Sequence, residues 1–185
     1  MDANLFKCLV LVGAVCRVYS YGDGAPPKAC VNLMPQHLGI DAQPPNSPYT
    51  IFVSSTTYHP SQQIKVVITG GGNHRGLLVQ ARTSNSITPV GTFFTPSANT
   101  KTTKCNATAD SWTHSSDAEK NSSTVTWTAP STDMGQITFK ATIAKDKNHY
   151  WLNHESAAIR YTSGTTNIQF GVGSVLAVVI SVFYL

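Results

Sequence analysis

The amino-acid sequence predicts an antiparallel β-sandwich of about seven to nine strands. Short runs rich in valine, isoleucine, threonine and aromatic residues recur along the chain, and clusters of proline, glycine, asparagine or serine separate most of them. Apolar and polar residues alternate within several of these runs. No stretch between residues 21 and 163 keeps a helical period of apolar residues. These observations favour two packed sheets over a helical or mixed fold.

The first 20 residues are typical of a secretory signal peptide. Lys7 stands inside an otherwise apolar run from Leu5 to Val15, and Val18 and Ser20 supply the small residues that a signal peptidase accepts. Ala14-Val15-Cys16 offers an alternative cleavage point. We therefore expect export of the chain, with a domain that begins near residue 21.

Export leaves two of the four cysteines in the mature chain, Cys30 and Cys105. Two cysteines in an oxidising compartment are expected to form one disulfide bond, and the Cys-x-x-Cys spacing of a redox motif is absent. The bond would close the long loop between Cys30 and Cys105, which would stabilise the fold by roughly 4 to 4.5 kcal/mol in the chain-entropy account. The sequence therefore predicts a structural disulfide.

Two sequons fit the same compartment. "NAT" begins at Asn106 and "NSS" at Asn121, each in a polar stretch rich in serine and threonine. Such sequons accept N-linked glycans on exposed loops of secreted proteins. We expect both asparagines to lie on the surface and to be glycosylated.

Seven runs are predicted to be strands. In two of them the alternation is clear: Ile64, Val66 and Ile68 share one face, and Val125 and Trp127 alternate with threonines. In chain order the runs are 50–55 (TIFVSS), 63–69 (QIKVVIT), 76–82 (GLLVQAR), 89–94 (PVGTFF), 124–129 (TVTWTA), 136–144 (QITFKATIA) and 157–162 (AAIRYT). The polar stretch from Thr95 to Ser123 holds Cys105. It is predicted to be a disulfide-pinned excursion with one or two short edge strands.

The stretch GGGNHRGLLVQARTS, residues 70–84, raises several functional alternatives. A phosphate-binding loop requires a Lys-Ser/Thr pair and a following helix, whereas LLVQAR is typical of a strand. We expect the glycines to form a turn with positive φ, and Leu77 and Val79 to point into the core. His74 and Arg75, at the mouth of the strand, are candidates for ligand contact.

Neither a metal site nor a catalytic site is predicted. His149 and His154 are the two histidines close in sequence, and their spacing of five places them on opposite faces of a strand. The chain has no GxSxG elbow, and a Cys30–Cys105 bond would leave no free thiol. Paired carboxylates could still meet in space. We expect a protein that is not an enzyme and holds no cofactor or metal.

Charge and aromatic residues point to a different kind of partner. Without Lys7, Arg17 and Asp2, the 13 basic and 9 acidic residues become 11 and 8, a scattered excess of +3 that does not favour nucleic acid. Tyr150 and Trp151 in "NHYWLNH" are candidates for a surface that stacks on sugars or lipid head groups. Arg82 joins them as a candidate contact residue.

The chain closes with IQFGVGSVLAVVISVFYL, 18 largely apolar residues without charge. No basic cluster follows this tail, which is the pattern of a signal for glycosylphosphatidylinositol (GPI) attachment; a membrane-spanning tail is the alternative. Ser163 or Gly164 is the expected attachment site, because attachment at Ser156 would discard the strand-like AAIRY. Residues 164–185 would then be the anchor signal.

Six segments resemble the reelin (reeler) domain family in order and spacing, over about residues 24–155. The segments are GAPPKACVNLMPQH, SPYTIFVSSTTYHPSQQIKVVITG, RGLLVQAR, PVGTFF, TVTWTAPS and GQITFKATIAKDKNHYW. The resemblance implies an immunoglobulin-like β-sandwich. It carries no catalytic residues.

Family members differ in what surrounds this module. Reelin and the spondins are extracellular matrix proteins, ferric-chelate reductase-like proteins add haem-binding domains, and short invertebrate members are linked to innate immune defense. The resemblance therefore implies microbial polysaccharide or lipopolysaccharide as ligand. The alternatives are an extracellular protein ligand, in a structural adhesion role, or a truncated ferric-chelate reductase-like protein.

Overall fold

The computed structural model describes residues 21–37 and 39–163. The predicted signal peptide (1–20), the hydrophobic tail (164–185) and the candidate attachment site Gly164 lie outside the described residues. A short helix precedes eleven strands within the described part. The elements are α1 (Ala29–Asn32), β1 (Tyr49–Val53), β2 (Thr57–Tyr58), β3 (Gln63–Gly70), β4 (Gly76–Thr83), β5 (Thr92–Phe94), β6 (Thr100–Thr103), β7 (Ser111–His114), β8 (Ser123–Thr128), β9 (Ile137–Ala144), β10 (Tyr150–Glu155) and β11 (Arg160–Tyr161).

Two antiparallel sheets form the domain. The first has the strand order β1-β3-β8-β5 and the second the order β10-β9-β4-β7-β6. The two short strands β2 and β11 pair in parallel as a small third sheet. Strands β1 and β10 therefore stand at edges, one in each of the two large sheets.

The core lies between the two large sheets because each contributes an apolar face. Strand β3 buries alternate residues, as its sequence predicts, and β8 does the same with Val125 and Trp127. Aromatic rings of the two sheets pack against each other. The ring centroid of Phe139 in β9 lies 5.2 Å from that of Trp127 and 6.4 Å from that of Phe93, each pair in an edge-to-face arrangement. The result is the antiparallel β-sandwich that the sequence predicted.

The second sheet is covered on its outer face as well. Residues 25–37 and 39–43, here called the N-terminal strap, cross that face and bury Ala29 and Leu33 against Leu78. Polar contacts fix the strap: Thr142 donates to the Leu33 carbonyl at 2.7 Å and Tyr150 to the Ile40 carbonyl at 3.1 Å. This cover explains why β4 is buried on both faces, instead of showing the alternation of a half-exposed strand.

All seven predicted strands overlap observed ones, and the number of strands exceeds the expected range. The additional strands are β2, β6, β7 and β10. The excursion between Thr95 and Ser123 contains two strands, but β7 is not an edge strand, because it lies between β4 and β6 and its Trp112 is fully buried. The low apolar content of this stretch concealed it, since one tryptophan carries most of the burial. The glycines 70–72 all have positive φ, which confirms the predicted turn.

Candidate functional site

The five residues predicted to contact a ligand do not share one surface. His74, Arg82 and Tyr150 are buried, Trp151 is half-buried, and Arg75 is exposed. A groove lined by Arg75, Arg82, Tyr150 and Trp151 is therefore not present among the described residues. Each of these side chains has a role inside the fold that its burial and contacts define.

His74 is fixed beneath the glycine turn. Its Nε2 lies 2.8 Å from the Ser123 hydroxyl, and its ring packs edge-on against Tyr49 at 5.9 Å. Burial, followed by the positive charge of the neighbouring Lys120, lowers the pKa of His74 to about 4. The imidazole is therefore neutral at physiological pH and has no open face toward solvent.

Arg75 is the exposed member of the set. Its Nη2 lies 2.8 Å from Glu119 Oε1, and Asn73 donates to the other oxygen of the same carboxylate at 2.8 Å. Both hydrogen bonds lower the pKa of Glu119, and the bond from Asn73 has the larger effect. The ion pair is solvated on both sides, so it has little weight in stability.

Arg82 holds the N-terminal strap in place through hydrogen bonds. Its guanidinium donates to the backbone carbonyls of Cys30 at 2.8 Å and Val31 at 3.1 Å, and it also contacts Gln80 Oε1. Gln80 in turn donates to the Cys30 carbonyl at 3.3 Å. A side chain with these buried partners is not presented to a ligand; sequence reasoning missed this because the strap that hides it lies about 50 residues away along the chain.

Tyr150 and Trp151 point to opposite faces of β10, as neighbours in a strand must. Tyr150 turns toward the strap, where its hydroxyl bonds to Ile40. Trp151 turns toward the other sheet and packs edge-on against Tyr49, with ring centroids 5.4 Å apart. Both rings are thus packing residues, because the sheet is covered on both faces.

A groove of about 590 Å³ runs between the two sheet edges, β1 and the end of β10. We call it the edge groove. One wall is β1 with the turn that follows it, and the other is the segment 154–158. Its lining residues are Ser47, Tyr49, Thr50, Ile51, Phe52, Val53, Ser55, Thr56, His154, Glu155, Ser156, Ala157 and Ala158.

Phe52 is the most conspicuous side chain of the edge groove. It is 54% exposed, although it is a large aromatic residue in the middle of a strand. Ile51 is buried, while Thr50 and Phe52 are exposed on the other side of β1. An aromatic residue on the otherwise polar face of an alternating strand is the signal by which the sequence could have revealed this site.

A β-bulge brings His154 into the edge groove. Trp151 pairs with Ile143 and His154 with Ala141, so β10 carries one residue more than β9 over this interval. Asn153, in the bulge, has a φ of 53°. Because the extra residue shifts the alternation by one, Trp151 and His154 both face β1 instead of opposite sides.

Charge in the edge groove is modest. Glu155 Oε1 lies 2.8 Å from Lys140 Nζ at the rim. Burial lowers the pKa of His154, against the opposing effects of the Tyr49 backbone and the Glu155 carboxylate. The groove therefore presents a mainly neutral histidine, one paired carboxylate and several hydroxyl groups.

The remaining predicted sites are the disulfide, the two glycosylation sites and the attachment site Ser163. The Cys30–Cys105 disulfide is present, with the two Cα atoms 5.4 Å apart. Asn106, Asn121 and Ser163 are exposed. Within residues 21–37 and 39–163, no three histidine, cysteine or acidic side chains come together as metal ligands.

No helix of the described chain is long and apolar enough to cross a bilayer.

Comparisons with known proteins agree on one family. A model of the Reeler domain matches residues 28–167. "Putative ferric-chelate reductase 1" of Danio rerio is 32% identical over 94% of this chain, which spans 31% of that protein. "Putative defense protein 3" of Antheraea mylitta is 32% identical over 84% of this chain and 95% of its own length.

Solved structures support the same architecture. The crystal structure of the human F-spondin reeler domain (fragment 1) matches with a TM-score of 0.57 and covers 68% of this chain and 96% of its own. A second structure, the Reelin-N domain of F-spondin, matches with a TM-score of 0.53. At 16% and 15% sequence identity these similarities establish the fold.

Proposed function

The chain belongs to the Reeler domain family, and from that premise we propose that it is an extracellular, cell-surface binding protein of innate immune defense. Its ligand in this proposal is a microbial polysaccharide or the glycan of lipopolysaccharide. The edge groove is the binding site. The family resemblance supports the class of protein, and the groove supports the chemistry of the ligand.

The exposure of Phe52 in a groove rimmed by hydroxyl groups carries the proposal. A sugar ring has an apolar face formed by its C–H groups and a belt of hydroxyls around it. Phe52 can pack against the apolar face, while Thr50, Thr56 and Glu155 offer hydrogen-bond partners. The groove is open to solvent, which suits an extended chain better than a compact cofactor, because a cofactor needs an enclosing pocket.

Three observations support an extracellular location. The disulfide between Cys30 and Cys105 is of the kind that persists in oxidising compartments. Both sequon asparagines are exposed. The apolar tail, with the small residues Ser163 and Gly164 before it, supports a GPI anchor.

Treatment of intact cells with a phosphatidylinositol-specific phospholipase tests the anchor. Release of the protein is the expected result, whereas retention after treatment would favour a membrane-spanning tail.

The proposed activity is binding without catalysis or cofactor. Ferric-chelate reductase relatives extend far beyond the segment that they share with this chain, so their printed activity need not belong to that segment. Among the described residues, the edge groove is lined by one histidine, His154, and one acidic residue, Glu155, whose carboxylate is paired with Lys140. They do not form a nucleophile-base pair of the kind that acyl or glycosyl transfer requires.

Binding to cells that display the full-length chain tests the proposal. Fluorescent lipopolysaccharide and β-glucan are added, and bound label is measured by flow cytometry at matched surface expression. Phe52→Ala should weaken binding by about tenfold or more, since it removes the central contact. Met134→Ala, a partly exposed apolar residue outside the groove, serves as the matched control and should leave binding unchanged.

Absence of binding above that of cells displaying an unrelated immunoglobulin domain would overturn the microbial proposal. Equal loss in the two variants would overturn the assignment to the edge groove.

A second candidate function is adhesion to an extracellular protein. It is favoured by the position of β1 and β10, each of which pairs with a strand on one side only within the described part of the chain, and both of which border the same groove. An extended peptide could add to such an edge through backbone hydrogen bonds. Retention of a host matrix protein that soluble β-glucan does not displace would favour this function over the first.

A further inference from the structure

We propose that the first N-acetylglucosamine of a glycan on Asn106 docks in a small apolar hollow beside the Cys30–Cys105 disulfide. The hollow measures about 170 Å³, and Asn106 itself contributes to its lining. The remaining lining residues are Cys30, Val31, Ile87, Thr88, Pro89 and Cys105. The inference rests on the extracellular location in the proposed function, but not on any ligand of the edge groove.

The hollow exposes two large apolar side chains. Val31 is 57% exposed and Ile87 is 60% exposed. Val31 comes from the N-terminal strap and Ile87 from the loop between β4 and β5, so they are distant in sequence and converge only in the fold. Single exposed apolar residues are ordinary, whereas two that line one hollow make a coherent surface for an apolar group.

The attachment point is held rigidly at the edge of this surface. The buried carboxylate of Asp110 accepts backbone N–H groups from Cys105 at 2.8 Å, Asn106 at 2.7 Å and Ala107 at 2.5 Å. The disulfide ties the same segment to Cys30. The backbone of the sequon is therefore fixed relative to the hollow, and a sugar on Asn106 would always start from the same place.

The opposite walls are also fixed. Arg82 holds the carbonyls of Cys30 and Val31, which sets the position of the strap. In the loop, the backbone N–H of Thr88 donates to the Ser86 hydroxyl at 3.0 Å. A surface formed in advance lowers the ordering cost of binding, and a covalent tether makes the binding intramolecular.

N-acetylglucosamine has the chemistry that this hollow requires. One face of its ring and its acetyl methyl group are apolar, and they can cover Val31 and Ile87. Its hydroxyls can stay in water around the rim, so no polar group is buried without a partner. The glycan would thus remove apolar surface from solvent and stabilise the domain.

Asn121 provides the contrast within the same chain. It is an exposed sequon asparagine like Asn106, but its neighbours Glu119, Lys120 and Ser122 are polar. A glycan there has no comparable apolar surface in the adjoining sequence. We therefore assign the stabilising contact to Asn106 alone of the two sequons.

The test uses the full-length chain made in animal cells that attach oligomannose glycans. Mass spectrometry of peptides first measures occupancy at each sequon, and thermal unfolding of the purified protein follows. Asn106→Gln and Thr108→Ala should each lower Tm by about 3 °C, an effect typical of a small loss in a domain of this size. Asn121→Gln, the matched control, should leave Tm within 1 °C of the parent, roughly the scatter of neutral surface changes.

Enzymatic trimming to a single N-acetylglucosamine should preserve the Tm, because the proposal gives the contact to the first sugar. Ile87→Ser should abolish the Tm difference between the protein with and without the Asn106 glycan, since the pair acts through one contact. An unoccupied Asn106, an equal fall of Tm for both sequons, or a glycan effect that persists in Ile87→Ser would overturn the inference. None of these outcomes bears on ligand binding at the edge groove, so the two proposals fail separately.

Discussion

The guanidinium of Arg82 donates a hydrogen bond of 2.8 Å to the backbone carbonyl of Cys30, one of the two disulfide cysteines. This bond joins the middle of the second sheet to the N-terminal strap. Burial lowers the pKa of Arg82, and its hydrogen-bond partners among the described residues are uncharged oxygens of Cys30, Val31 and Gln80. The strap is therefore held by a buried cation on neutral acceptors.

Replacement of Arg82 should destabilise the domain through these acceptors. Arg82→Met keeps most of the side-chain volume but removes the donor to the Val31 carbonyl and to Gln80 Oε1, and leaves the Cys30 carbonyl with only the 3.3 Å bond from Gln80. The expected cost is about 2 to 4 kcal/mol. Equilibrium unfolding in urea measures the difference. Arg160→Met, at an exposed arginine of β11, should change stability by less than about 0.5 kcal/mol. Similar values for the two variants would refute the role given to Arg82.

Removal of the disulfide should act on the same strap by a different mechanism. The bond links residues 75 positions apart, so Cys30→Ser with Cys105→Ser should lower the unfolding free energy by up to about 4 kcal/mol. Near-native circular dichroism with a lowered Tm is the expected result, because the sandwich core does not include the bond. An unchanged Tm in the double variant would contradict this account.

The stability of the domain should depend on pH through His74. Its folded-state pKa, about 4, lies below the usual 6.5, so the unfolded chain binds the proton first as the pH falls. The stabilisation is complete above pH 6.5, is lost between 6.5 and 4, and amounts to at most about 3 kcal/mol. Unfolding free energies measured from pH 7 to pH 4 should show this loss.

His74→Gln should flatten that profile, because the amide can keep a bond to Ser123 but does not titrate. His59→Gln, at an exposed histidine, should retain the slope of the parent. A slope that is as steep in His74→Gln as in the parent would assign the pH dependence to other groups.

Gly91 should be intolerant of any side chain. It has a φ of 70°, and a Cβ atom there would lie 2.5 Å from both the Thr128 carbonyl oxygen and the ring of the buried Trp127. Gly135 has a similar φ of 72° but open space around it. Gly91→Ala should therefore cost about 2 kcal/mol more than Gly135→Ala, which isolates the steric clash from the backbone strain that both share. Equal costs in thermal unfolding would show that Trp127 can move aside.

Much of the fold followed from local pattern. The alternation of Ile64, Val66 and Ile68 and that of Val125 and Trp127 predicted the buried faces of β3 and β8, and the glycines 70–72 predicted their turn. Cysteine count and the signs of export predicted the Cys30–Cys105 bond. These features depend on side-chain periodicity, backbone freedom and composition, which the sequence displays directly.

Local pattern did not predict which residues are exposed for ligand contact. His74, Arg82 and Tyr150 were chosen because histidine, arginine and tyrosine recognise ligands when exposed, yet all three are buried. Their burial comes from segments far away in sequence: the strap covers Arg82 and Tyr150, and Ser123 with Tyr49 encloses His74. The residues next to these positions in the sequence do not show which distant segments will cover them.

The sequence by itself determined seven of the strands, the disulfide and the apolar faces that two sheets must bury against each other. Only the tertiary structure decided which polar residues are left on the surface, because exposure depends on what packs over a residue and not on its own chemistry. The edge groove shows this most clearly. Phe52 and His154 are about 100 positions apart, and they line one groove because the two sheets end side by side and a bulge turns His154 inward.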